Sequence, residues 1–314
     1  MTSPEAFVHS LLHCHFESGL RALAVARPGE LERLRPVFES VSYAQATSAG
    51  RLSLLEEQVK RLVQGQDIFT REIFDEVVRR LAAEMTSSGI GHVDLRVGVL
   101  MHRWPWIGNL ADAIGAFRAA LPGPEALTVS FLGAVNLSKP YDVLDMVFGR
   151  VLEDTATAGR LAGLDINMQP ADLATLSRYL ATLRDLQRSG VRINIHLGEL
   201  FDVGFSRNIL SRIISSRIGH GVMLLDDAAT VQLIREHRIC LDMCPVSNTR
   251  LGVWDWTRSS PAAKAMRRGL PVTINTDDPV LFSAGLAANL ALAGLSPSQL
   301  ETARLAGNRY GYQR

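Results

Sequence analysis

The chain predicts a single (β/α)8 TIM barrel of the α/β class with extra helices, running over residues 1–314 as one domain. Three observations carry that expectation. Eight apolar or alternating runs are each followed by a segment able to form a helix, the regular alternation of a parallel sheet. Polar residues able to do chemistry gather where those runs end, and barrel active sites are built at the C-terminal ends of strands. No Gly-rich phosphate fingerprint follows a strand, which disfavours the alternative, a doubly wound open sheet.

Taken in order, Phe7–Leu12 is a short apolar run that ends in His13-Cys14-His15. Two histidines at i and i+2 on a strand share a face, so both can reach one ion. Arg21–Gly50 is of mixed polarity, broken by Pro28-Gly29 and Pro36. Ser53–Met85 is helical by period, with Gln64-Gly65-Gln66 separating two helices. His92–Leu100 alternates as a strand, placing Asp94 and Arg96 on one face, where a structural ion pair between them is favoured over a ligand site. Met101–Asn109 is a loop with two tryptophans, Trp104 and Trp106, suited either to roofing a pocket or to packing down.

Leu110–Leu121 reads as a helix, Leu127–Val135 as the third strand, Val143–Arg160 as a helix and Leu161–Met168 as the fourth strand, with Asp165 near its end. Ala171–Ser189 is a helix stopped by Gly190. Val191–Glu199 is an alternating, β-branched strand that finishes in His196, Gly198 and Glu199. Ile209–Ser216 is a short helix running into Arg217–Gly221, where His220 stands between two glycines that let backbone approach a ligand. Asp227–His237 is a helix, Arg238–Met243 the seventh strand and Cys244–Asn248 its turn. Ser260–Arg268 is helical, and Leu270–Asn275 is the last strand, ending in Thr276-Asp277-Asp278-Pro279. A helical tail follows, including Ala287–Ala293 and Gln299–Ala306.

Composition narrows the function. Hydrophobic residues make up 47% and charged residues 21%, which suits a globular chain with a full-sized core. A net charge of +1 points to neither nucleic acid nor an anionic membrane as partner and leaves a small molecule, with a homo-oligomer open. Cys14, Cys240 and Cys244 fit no disulfide or zinc-knuckle spacing, so a reducing cytoplasm is the expected setting. The N-terminus has no basic region before a long apolar core, so no signal peptide is expected, and no apolar run is long enough to span a bilayer.

Ligand-type side chains therefore recur at four stations of the barrel: His13 with His15, His196, His220, and Asp277. Imidazoles with a carboxylate suit one divalent metal ion, zinc first. The order and context of these stations resemble the adenosine deaminase branch of the amidohydrolase superfamily. The matching stretches are H-C-H-F-E ending at Glu17, H-L-G-E at His196–Glu199, R-I-G-H-G at Arg217–Gly221, C-P-V-S-N at Cys244–Asn248 and N-T-D-D-P at Asn275–Pro279.

The resemblance implies that His13, His15, His196 and Asp277 hold the metal, which acidifies a bound water. It implies His220 as the base, Glu199 as a protonated donor to a ring nitrogen and Asp278 as the group that orients the ring and helps carry a proton to departing ammonia. Glu17, Met168 and Gly198 are the positions expected against the substrate, an amino-heterocycle or nucleoside. A carboxyl that must donate needs a raised pKa, so Glu199 is expected to be desolvated. Two departures stand out. The lysine of binuclear relatives is absent after strand four, implying a mononuclear site, and the family's D-L-A-G-D-E is here Asp165-Ile166-Asn167-Met168-Gln169-Pro170. Met168 then stands where a glycine amide meets the ring, implying an altered substrate. The alternatives are hydrolysis of another C–N bond, an amide or cyclic amidine, and a catalytically silent barrel that binds a nucleoside. Glu199 argues against the first and the intact ligand set against the second.

Overall fold

The structure, a computed structural model, describes residues 9–16, 18–29, 47–98, 104–123, 127–157 and 160–312. Eight parallel strands follow one another in sequence order around the sheet: β1 (His9–His15), β2 (Ile90–Gly98), β3 (Thr128–Asn136), β4 (Leu161–Asn167), β5 (Arg192–Leu197), β6 (Arg217–His220), β7 (Cys240–Met243) and β8 (Val272–Ile274). That order, with helices between, is the (β/α)8 barrel the alternation predicts. Between β1 and β6 the helices are α1 (Ser18–Ala26), α2 (Ser48–Val63), α3 (Arg71–Ser87), α4 (Leu110–Ala120), α5 (Tyr141–Thr157), α6 (Leu173–Arg188) and α7 (Val203–Leu210) among the described residues.

Local chemistry explains most boundaries. Thr70, Asn109 and Asp202 each accept from an N–H in the first turn of the helix they precede, satisfying one of its orphan donors. Gly190, at φ 89°, ends the turn after α6 and admits β5. Two expectations move. The helix expected over Ile209–Ser216 forms earlier, as α7, because Asp202 caps it there. The turn expected at Cys244–Asn248 is helical from Pro245 to Arg250, with proline at the first helical position, where its missing N–H costs nothing.

The seam between β1 and β8 is closed at the barrel mouth by two backbone hydrogen bonds and one side chain. His15 N donates to Asp277 O (2.8 Å) and Asp277 N to His13 O (3.0 Å). Asn275 Oδ1 accepts from both Leu12 N (2.8 Å) and His13 N (3.0 Å), replacing the acceptors a longer β8 would offer.

Inside the barrel, Asp94 and Arg96 do share the inward face of β2, but they are not each other's partners. Arg96 reaches Asp165 on β4 (3.0 Å), and Arg217 on β6 pairs with both Asp94 and Asp242 of β7 (3.0 Å to the latter). Residues i and i+2 on a strand stand side by side, so groups of this size pair across the barrel instead. Below them the C-terminal segment closes the floor: the Tyr312 hydroxyl donates to Asn194 Oδ1, and its ring lies 4.1 Å from the Arg217 guanidinium.

Candidate active site

The strand ends bring His13 and His15 (β1), His196 (β5) and Asp277 (after β8) to one point, with one ligand atom from each within 4.8 Å of the others. Asp277 Oδ1 lies 3.4 Å from His13 Nε2 and 3.5 Å from His15 Nε2. Among the described residues no group hydrogen-bonds either ring nitrogen of His13, although it is 0% exposed. A buried imidazole with both nitrogens unsatisfied is costly unless something else engages it. Three imidazoles and a carboxylate form a donor set suited to zinc, so these residues fit the expected ion.

The electrostatics agree. Burial, with help from Arg96, holds His13 well below the usual imidazole range, and burial brings His15 down to about 4, so both lone pairs are free at neutral pH. Burial alone would raise Asp277, but His13, 3.4 Å away, and the other imidazoles around it hold it well below the usual carboxylate range. Behind the cluster, Asp165 Oδ2 lies 3.1 Å from His196 Nδ1 and is itself held by Arg96, a carboxylate–histidine support of the kind that orients metal ligands.

His220 and Glu199 stand beside these four. His220 Nε2 is 3.4 Å from Glu199 Oε2, while its Nδ1 is 3.0 Å from the Asn248 side-chain nitrogen. Burial lowers His220 to about 3. Burial also pushes Glu199, 6% exposed, well above the usual carboxylate range, reinforced by the negative charge of Asp277. His220 (φ 67°) and Asp277 (φ 61°) both adopt left-handed backbone, uncommon for residues with a side chain and typical of sites where geometry outweighs local strain.

His15, His196, Glu199, His220 and Asp277 line one cavity of about 470 Å³, together with Asp278, Met168 and Gly198. Asp278 is buried at 5% exposure and accepts from Leu281 N (2.9 Å). Met168 is 7% exposed and packs into the core while bordering the cavity. At Gly198, φ is 67° and a Cβ would fall 2.5 Å from Leu224, so only glycine fits there. Glu17 lies outside the described residues. The two tryptophans do not border the cavity: Trp104 is 1% exposed against Phe69 and Phe74, and Trp106 packs on Phe74 beneath Arg71. Strand periodicity and residue type do not single out Asp165 as the support of His196, Asn248 as the neighbour of His220, or Asn275 as the closure of the seam. Asn248 and Asn275 each lie within a family-like motif, C-P-V-S-N and N-T-D-D-P, and that is the one signal the sequence offers for them.

A (β/α)8 barrel with a histidine–carboxylate cluster at its mouth, flanked by a buried imidazole and a buried carboxyl, defines a hydrolase-type centre. The chain belongs to the adenosine deaminase family, whose model matches residues 142–308. It is 24% identical over 285 residues to an adenine deaminase of Cupriavidus taiwanensis, covering 88% of this chain and 78% of that protein. The crystal structure of an adenine deaminase from Arthrobacter aurescens superposes with a TM-score of 0.76 at 21% identity, covering 98% of this chain and 94% of that one. A zinc-bound amidohydrolase from Burkholderia ambifaria superposes at 0.73 and 17% identity, covering 100% and 90%. Among the described residues no helix is long and apolar enough to cross a membrane.

Proposed function

We propose that the chain is a hydrolytic deaminase that releases ammonia from an adenine-like amino-heterocycle and depends on one divalent ion, zinc first, held by His13, His15, His196 and Asp277. The observation that carries this reading is the buried pair of Glu199 and His220, 3.4 Å apart beside the ligand cluster, with burial pushing the Glu199 carboxyl well above the usual carboxylate range and the His220 imidazole down to about 3. An amide hydrolase has no use for a proton donor aimed at a ring nitrogen; a deaminase does. The ion, when bound, would lower the pKa of a coordinated water from about 16 towards 7.

The protein's own groups then have separable roles. His220 takes up the proton of the attacking water at Nε2 and stabilises the charge that develops, a role that requires the neighbouring Asn248 amide to turn its oxygen to Nδ1–H. Glu199 donates to the ring nitrogen beside the carbon under attack, which makes that carbon electrophilic. Asp278, anchored through Leu281 N, orients the ring and passes a proton towards the leaving ammonia. The buried walls exclude water and strengthen each of these interactions. The three cysteines are free and buried, which suits a reducing, cytoplasmic setting.

The test is ammonia release across aminopurines, their nucleosides and other amino-heterocycles, with and without chelator. Glu199→Gln keeps the shape of the site and removes the acidic proton, so it should retain metal and lose about 10²–10⁴-fold in turnover. No ammonia from any compound by the metal-loaded protein, or unchanged turnover in the glutamine variant, refutes the reading.

A further inference from the structure

The metal ligands and Glu199 account for the inner end of the cavity. Its outer end is lined by the loops after β3 and β4 and by α2, and here the chemistry is different. The two loops are stitched together. Leu137 N donates to Asn167 O (2.9 Å), the Gln169 amide reaches Ser138 Oγ (3.3 Å), and Ser138 Oγ donates to Asp172 (2.7 Å). A rim cross-linked in this way holds Lys139 and Asn167 in place at the cavity wall. To the same lining α2 contributes Lys60, with Glu56 one turn before it.

Among the described residues neither Lys60 nor Lys139 has a carboxylate within ion-pair distance, and the Asn167 side chain makes no hydrogen bond. Among the described residues the acidic groups of the inner wall have neighbours of their own: Asp277 within the ligand cluster, Glu199 beside His220 and Asp278 on its turn. Among the described residues Glu56 is the acidic group at the outer end, beside two ammonium groups and a carboxamide. A cavity of about 470 Å³ is also of the size that holds a drug-sized ligand, beyond a bare bicyclic ring.

We infer that the substrate is an amino-heterocycle bearing an anionic group, a phosphate ester or a carboxylate, which sits at this rim between Lys139 and Lys60 and accepts from the Asn167 carboxamide. The inference rests on the deaminase reading for the inner end and deepens it by naming the substrate class. Two ammonium groups in the lining of one cavity select for the charge.

The experiment is calorimetric binding to the metal-loaded protein of matched pairs of product-like ligands. One pair is inosine and its 5′-monophosphate; the other is hypoxanthine carrying a carboxyethyl group at N9 and the corresponding amide. Ammonia release from the matching 6-amino compounds is measured alongside. The anionic member of at least one pair should bind about ten-fold or more tightly than its neutral partner, and the pair with the larger ratio identifies phosphate or carboxylate. Lys139→Glu and Lys60→Glu should each collapse that ratio, with melting temperatures showing that the variants are folded. Equal or weaker binding of both anionic ligands, or ratios unmoved by both substitutions, overturns the inference. The two readings fail separately. Preferential anion binding without ammonia from any compound refutes the deaminase, and ammonia without anion preference refutes the rim.

Discussion

Gly219→Ala isolates the packing that sets the metal ligands. The backbone of Gly219 does not lie in the left-handed region, so alanine is conformationally permitted and the penalty is one of contact alone. Its Cβ would lie 2.6 Å from Cε1 of His13, 3.1 Å from Nδ1 of the same ring and 3.4 Å from Cδ2 of His196. To restore ordinary contact at 3.4 Å, the His13 ring must retreat by about 0.8 Å. It has little freedom to do so, because it is 0% exposed and its peptide is pinned by Asn275 and Asp277. Metal–ligand distances tolerate about 0.2 Å. The shift therefore falls on the donor geometry, and we expect zinc affinity to drop by about 10–100-fold, with a further 1–3 kcal/mol of overpacking in the metal-free protein.

Competition with a chromophoric chelator reads the affinity. Thermal unfolding with and without zinc reads the same quantity independently, since each ten-fold loss removes about 1.4 kcal/mol of metal-dependent stabilisation at saturating metal. Gly149→Ala is the control: it lies within α5 with nothing within 4 Å of the new methyl, and should leave zinc affinity unchanged while stabilising by about 0.5–1 kcal/mol. Wild-type zinc affinity in the Gly219 variant would refute the packing argument, whatever happened to its stability.

Three further outcomes follow from the same geometry. Asp165→Asn leaves Arg96 short of a buried countercharge and weakens the support of His196, so urea denaturation should show a loss of about 3–5 kcal/mol and chelator competition a 10–100-fold weaker zinc site. Unchanged values in both would show that Asp165 is not a support. Asn275→Ala strips the acceptor from two buried N–H groups at the barrel seam, with an expected cost of about 2–6 kcal/mol in denaturant; a cost below about 1 kcal/mol would mean the seam closes without it. For pH, the metal-free protein holds His13, His15 and His220 neutral, so below 6.5 the unfolded chain binds protons that the native site refuses. The depressed Asp277 acts in the same direction at lower pH, whereas Glu199, raised in the native state, opposes the loss by about one proton. Stability should therefore fall on acidification, with a slope of about 2–3 kcal/mol per pH unit near pH 5.5, measured by urea midpoints in chelator; a flat profile between pH 7 and 5 would contradict the burial of the three rings.

What the sequence reveals and what it hides divide along a physical line. Strand periodicity is local, and residues such as His196 and Asp277 stand out because a packed strand has no reason to end in them. Partnerships across the barrel are not local. Spacing alone matches Asp94 to Arg96, two residues away, although its partner Arg217 is 123 positions distant, and the acceptor for Leu12 N comes from Asn275, 263 positions on. Short strands also hide their ends: β8 is three residues long because Asn275 completes the seam with its side chain, so strand composition overestimates its length.

The glycines of Arg217–Gly221 show the same division within one motif. From the sequence they suggest close approach of backbone to a ligand. In the fold, what approaches Gly219 is the ring of His13 from the far side of the barrel, and Gly221, at a φ of 70°, accommodates Leu241, which would lie 2.8 Å from a Cβ at that position. The motif makes room for the neighbours of His220 as much as for anything the enzyme binds. His220 itself takes the left-handed backbone between them and delivers its imidazole to Glu199. A substitution at either glycine should thus act through the positions of site side chains, and its effect should appear in metal affinity or turnover before it appears in substrate preference.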